Sequence, residues 1–135
     1  MKFKPFDRLL SAKDILGKCE QNEATYRSVM HQSYYASFNQ LASEVENRLF
    51  YPVDPNTKKS SVHKAYLDAC INKQDTLRLD HIDFESLETV INDFKRLRGL
   101  RRVSDYELNK AVCKGEAELS IQLSTRIFDS IEKLT

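Results

Sequence analysis

His63 follows Ser60-Ser61-Val62, which puts it in the first turn of a helix that a serine can cap. An imidazole titrates near neutrality and can take the proton of a ribose 2′-hydroxyl. Charge developing on the neighbouring phosphate then needs a fixed cation, and Arg101 or Arg102 is the candidate. The plainer reading of His63 is a partly exposed helix-start histidine with structural hydrogen bonds. Arg101 and Arg102 belong to the one dense basic cluster, with Lys95, Arg96 and Arg98. On a helix Arg98 and Arg102 share a face, and Lys95 lies a turn before Arg98. Phosphate or RNA binding is the sharper reading of this cluster. Cations matched to the negative end of a helix are the plainer one.

Asp105 stands four residues after Arg101, close enough for an ion pair that orients the guanidinium, with Tyr106 packing or hydrogen-bonding beside it. A structural staple is the plainer role of that trio. Tyr34 and Tyr35 point about 100° apart on a helix. Tyr34 follows the apolar stripe, whereas Tyr35 lies off its centre and can reach a groove or a partner. His31 is one turn from Tyr35. These rings can stack on bases, although core and interface packing is their commoner use. His81 between Asp80 and Asp83 has no further ligand set around it. The candidate catalytic residues are therefore His63, Arg101 and Arg102. The candidate ligand- or RNA-binding residues are His31, Tyr35, Arg98, Arg102, Asp105 and Tyr106. No metal and no cofactor is expected.

The elements that must position these residues are helical. Apolar residues recur at steps of three or four, while only three Gly and three Pro are present, too few turn residues for a sandwich or barrel. The first helix spans Pro5 to Lys18, with proline suited to its first turn. The second spans residues 23–50, on the stripe Tyr26, Met30, Tyr34, Phe38, Leu41, Val45 and Leu49, and its length makes it the central helix. Pro52 and Pro55 stop it. The third carries Val62, Tyr66, Leu67, Cys70 and Ile71, followed by a polar loop over residues 72–83. The fourth carries Phe84 to Leu100, and residues 103–113 read as a loop or short turn. The last begins near Lys114 or Gly115. Five amphipathic helices with short links predict one all-α antiparallel bundle over residues 1–135. Antiparallel neighbours place the start of the third helix beside the end of the fourth, so His63, Arg101, Arg102, Asp105 and His31 are expected to converge in one groove.

Composition narrows the rest. Hydrophobic residues at 41% and charged residues at 30% are an ordinary globular balance, so a packed core is expected. A net charge of +1 does not by itself announce a nucleic-acid binder. Cys19, Cys70 and Cys113 are scattered, odd in number and form no CxxC pair, which suits reduced thiols in a cytoplasmic protein. No apolar run of about 18 residues predicts a membrane span. The stretch MKFKPFDRLL lacks the apolar core and small-residue cleavage site of a signal peptide.

Three segments carry a resemblance. The first is Arg27-Ser-Val-Met-His-Gln-Ser-Tyr-Tyr-Ala-Ser-Phe38, the second Ser60-Ser61-Val62-His63, and the third Leu100-Arg101-Arg102-Val103-Ser104-Asp105-Tyr106. In this order they resemble the central-helix run, the Thr-His-Ser helix start and the Leu-Arg-x-x-Ala-Asp-Tyr signature of the HEPN domain family (higher eukaryotes and prokaryotes nucleotide-binding), in the branch found beside small nucleotidyltransferases. The Glu- and Ala-rich stretch at Glu116-Ala117-Glu118 also fits. The resemblance implies a HEPN-like helical bundle. It also implies a module of a prokaryotic toxin–antitoxin or phage-defence system that binds RNA, a nucleotide or a partner protein, such as a nucleotidyltransferase. It further implies a homodimer, for which Tyr35 would suit the shared face. The family's ribonucleases carry Arg, four to six residues, then His. No arginine here has a histidine at that spacing; Arg27 to His31 and Arg78 to His81 are too short. Two alternatives stay open: a metal-independent ribonuclease that uses His63 with Arg101 or Arg102, and a non-catalytic complex subunit.

Overall fold

The computed structural model describes residues 3–135. Six α-helices and no strand are found among them: α1 (Pro5–Lys18), α2 (Glu23–Glu44), α3 (Pro55–Ser60), α4 (Val62–Asp75), α5 (Ile82–Tyr106) and α6 (Lys114–Lys133). The protein is thus an all-α bundle. No helix among the described residues is long and apolar enough to cross a membrane.

Local chemistry starts most of the helices. Pro5 opens α1, where the Asp7 carboxylate accepts the Lys4 backbone N–H at 2.7 Å. Asn22 caps α2 by accepting from the Thr25 N–H, and Ser61 caps α4 by accepting from the Lys64 N–H. The cap of α5 is His81, whose Nδ1 accepts the Asp83 N–H at 3.0 Å. That is a structural use of His81. Asp83 is not in a polar loop as expected from the sequence; it is buried in the first turn of α5 and accepts from the backbone N–H and hydroxyl of Thr135. No group of three or more metal-ligating side chains occurs among the described residues.

Three boundaries differ from the sequence expectation. The second helix does extend to Leu49, but its last turn, Val45–Leu49, is π-helical. Phe50 ends it in the left-handed region with φ of 54°, where the two prolines follow. A short helix α3 fills what reads as an irregular link, capped by Asp54 and opened by Pro55. Finally, α4 runs to Asp75 and α5 continues to Tyr106, so the loops on either side of α5 shrink to residues 76–81 and 107–113.

α2 packs against α1, α5, α6 and, at its flank, α4. It is buried on more than its aromatic stripe: Ser33, Ala36 and Ser37 are fully buried as well. Opposite them α6 presents Ala117, Ser120 and Ser124, also fully or almost fully buried. The Ser37 and Ser124 hydroxyls meet at 2.7 Å, a close approach that only small side chains permit. The main core joins Tyr34, Leu41, Leu87, Phe94, Leu97, Leu123 and Ile127. The buried Asp93 carboxylate on α5 accepts two hydrogen bonds from Arg126 on α6, at 2.7 and 2.9 Å, which ties the two helices together. Cys70 lies inside, and burial pushes its thiol up to about 12, so it is inert; Cys19 and Cys113 are exposed, and all three thiols are free.

Candidate functional site

α2 presents His31, Tyr34, Tyr35 and Phe38 at steps of three, one and three, which gathers four rings on one side. The start of α4 lays His63 over them. Its ring centroid is 4.3 Å from that of Phe38, 5.4 Å from Tyr34 and 5.9 Å from Tyr35. The last turns of α5 close the group from the other side. The Arg101 guanidinium carbon lies 5.2 Å from the Tyr34 ring centroid and 5.4 Å from that of Tyr35. His63 and Arg101 thus share one aromatic floor, well inside the roughly 15 Å within which one phosphate can use both.

Hydrogen bonds and ion pairs tie the cluster together. Arg101 Nη2 donates to the Tyr35 hydroxyl at 2.8 Å and to the Tyr106 hydroxyl at 3.3 Å. Arg101 Nε stands 3.1 Å from Asp105, an ion-pair contact whose angle falls short of a hydrogen bond. The same Asp105 carboxylate accepts from His31 Nδ1, which lies 3.0 and 3.1 Å from its two oxygens. The expected Arg101–Asp105 staple is therefore present, and it extends to His31. Tyr34 Oη lies 2.6 Å from His63 Nδ1.

Of the candidate residues, His31, Tyr35, His63, Arg101, Asp105 and Tyr106 come together. Arg98 is half-buried one turn before Arg101 and near enough to act electrostatically on His63 and Tyr34. Arg102 is not in the cluster; one residue past Arg101 it turns about 100° away and is exposed. Tyr35 is half-buried and bound to Arg101, so it is not the exposed ring expected of a docking face; Tyr106, 68% exposed, is. Two further residues matter. Tyr34 reads from its spacing as core alone, yet its hydroxyl holds His63. Arg27, visible in the sequence only as the basic residue before the aromatic run, donates to the carbonyls of Val103, Ser104 and Lys110 at 2.6–2.9 Å and so secures the end of α5.

The charge pattern around the cluster is open on one side. Lys95, Arg96, Arg98 and Arg102 have no carboxylate within ion-pair distance among the described residues. A cavity of about 490 Å³ lies elsewhere, lined by Phe6, Glu44, Arg48, Phe128 and Asp129, and contains none of the cluster residues. Partial burial lowers the His63 pKa below its ordinary 6.5, and Arg101 and then Arg98 push it the same way. Its linkage to folding has a definite sign. The unfolded chain takes up the proton first, so the His63 contribution is whole above pH 6.5 and is lost as pH falls through the lower folded value. Unfolding titrations between neutral pH and about pH 5 are expected to show this acid-side loss in the native chain and a shallower slope in His63→Gln. Equal slopes would rule His63 out as a contributor.

No protein-family model, curated protein or solved structure matches this chain.

Proposed function

We propose that the chain is a HEPN-like module that binds RNA through the His31–Tyr35–His63–Arg101 face and the basic residues beside it. The observation that carries this reading is the convergence of the three resemblance segments, remote in sequence, on one face. An open surface edged by Arg98 and Arg102, with no carboxylate to neutralise them, suits a phosphate backbone better than an enclosed small molecule. The setting is a prokaryotic toxin–antitoxin or phage-defence system, with a second copy of the chain and a nucleotidyltransferase or other defence protein as partners. Sedimentation of the purified chain at micromolar concentration tests the homodimer, and a species that stays monomeric removes it.

The exposed Arg102 makes the sharpest test. Arg102→Ala is expected to weaken binding of a single-stranded oligoribonucleotide by about 1–3 kcal/mol, as for a lost charge-assisted hydrogen bond, and to leave thermal stability unchanged. Fluorescence anisotropy at fixed salt reads the affinity. Undiminished binding removes Arg102 from the interface, and a native chain that binds no RNA overturns the function.

The proximity of His63 to Arg101 favours a second reading, metal-independent cleavage of RNA. Incubating structured RNA in chelator with the native chain and with His63→Ala separates the two: cleavage that vanishes in the variant selects the ribonuclease, and intact RNA selects the binding module.

A further inference from the structure

The two histidines of the cluster are held by opposite kinds of partner. Tyr34 is fully buried, and burial raises its pKa against the opposing pull of Arg98 and Arg101, so its hydroxyl keeps its proton. His63 Nδ1 is the one hydrogen-bond partner of that hydroxyl among the described residues. With Nδ1 as acceptor the buried O–H is satisfied; the reverse arrangement strands it. A neutral imidazole has one N–H and one lone pair. His63 therefore carries its hydrogen on Nε2, which makes no hydrogen bond within the described chain and is not sealed from solvent.

His31 is set the other way. Its Nδ1 faces both oxygens of Asp105, and a carboxylate only accepts. Nδ1 therefore carries the hydrogen, and Nε2 of the neutral ring is a free acceptor. The His31 side chain is 43% exposed, and its Nε2 makes no hydrogen bond among the described residues. The two rings flank Tyr35, with centroids 4.7 Å and 5.9 Å from its own, so a donor and an acceptor lie on one face.

We propose that this histidine pair distinguishes RNA from DNA: His63 Nε2–H donates to a phosphate oxygen while His31 Nε2 accepts from the neighbouring ribose 2′-hydroxyl. The inference rests on the RNA-binding reading above and names what that face recognises. A phosphate oxygen can only accept, whereas the 2′-hydroxyl can donate and is the group that DNA lacks. Tyr34 and Asp105 act as positioning residues, each choosing the tautomer of one ring. The Arg101 Nη1 group, which has no partner among the described residues and is not sealed, adds a charged donor beside His63. In this arrangement His63 already holds a proton at its reachable nitrogen, so it is not the group that removes one from the sugar.

Nitrogen-15 NMR of the native chain at mildly alkaline pH reads the tautomers directly, without ligand. The expected result is hydrogen on Nε2 of His63 and on Nδ1 of His31; the same tautomer on both rings overturns the proposal. Binding is then measured with a short oligouridylate and its 2′-deoxy counterpart. The native chain is expected to prefer the ribose form by about tenfold, within the range of one hydrogen bond. His31→Phe should bring the two within about twofold, and Asp105→Asn, whose amide can donate to Nδ1, should do the same. His63→Gln, with an amide N–H near the Nε2 position, should keep most of the affinity for both strands, and His63→Asn should lose it. Equal binding of both oligonucleotides by the native chain overturns this inference and leaves the RNA-binding face standing. Failure to bind either one overturns that reading as well.

Discussion

Arg27→Ala is expected to destabilise the fold by about 2–4 kcal/mol, a loss on the order of 10 °C in melting temperature. The Arg27 side chain is only 15% exposed and its two terminal nitrogens satisfy carbonyls of Val103, Ser104 and Lys110, with Glu23 as its ionic partner. The Ser104 carbonyl in the last turn of α5 and the Lys110 carbonyl in the loop after it have no other partner among the described residues, whereas Val103 also accepts the Glu107 backbone N–H at 3.2 Å. Truncation leaves the Ser104 and Lys110 carbonyls unpaired at once, which is why the expected loss exceeds that of a surface ion pair. The damage should also be local. Asp105 and Tyr106 sit in the turn that Arg27 holds, so amide hydrogen exchange should rise there first and RNA binding should fall with it. Arg27→Lys is expected to recover less than half the stability, because one ammonium cannot span the carbonyls that a planar guanidinium reaches. A loss below about 0.5 kcal/mol in urea unfolding would show that water replaces Arg27 without penalty.

Tyr34→Ala should be the more destructive change, at about 3–5 kcal/mol. The ring is fully buried and packs against Phe94 with centroids 5.4 Å apart, within the cluster that joins α2, α4, α5 and α6. Tyr34→Phe separates this packing from the hydroxyl. It keeps the ring and leaves His63 Nδ1 without its donor, so a loss of about 1 kcal/mol is expected. Equal destabilisation by the two variants would mean that the hydroxyl, not the ring, carries the stability. No destabilisation by Tyr34→Phe would mean that the 2.6 Å contact contributes nothing to folding.

The helices were legible where apolar spacing was regular. α1 and α6 run from the residues that the sequence suggests, since Pro5, the polar link before Glu23 and the stripe ending at Leu134 are local signals. α3 was not legible: its six residues bury no side chain and so leave no periodic trace. The extra turns of α5 were hidden for a different reason. Ser104 and Asp105 read as polar loop residues, but Ser104 is buried and its backbone carbonyl is taken by Arg27, from a helix about eighty residues away in the chain. The close approach of α2 and α6 at Ser37 and Ser124 was equally silent, because no hydrophobic pattern marks two serines.

For the candidate site, residue types could be read and pairings could not. Closeness in sequence was enough to suggest that Asp105 pairs with Arg101, and helical spacing that His31 stands a turn from Tyr35. Choosing between Arg101 and Arg102 required the rotation of α5 against α2, and that rotation is set by which α5 side chains fill the core. The sequence by itself determined the helical class, most helix starts and the presence of an aromatic, basic and histidine-bearing set. Only the tertiary structure decided that Arg101 faces the rings, that Tyr34 holds His63 and that Asp105 holds His31. The physical reason is that helix formation depends on groups a few residues apart, whereas a histidine's tautomer depends on whichever donor or acceptor packing brings to its nitrogen.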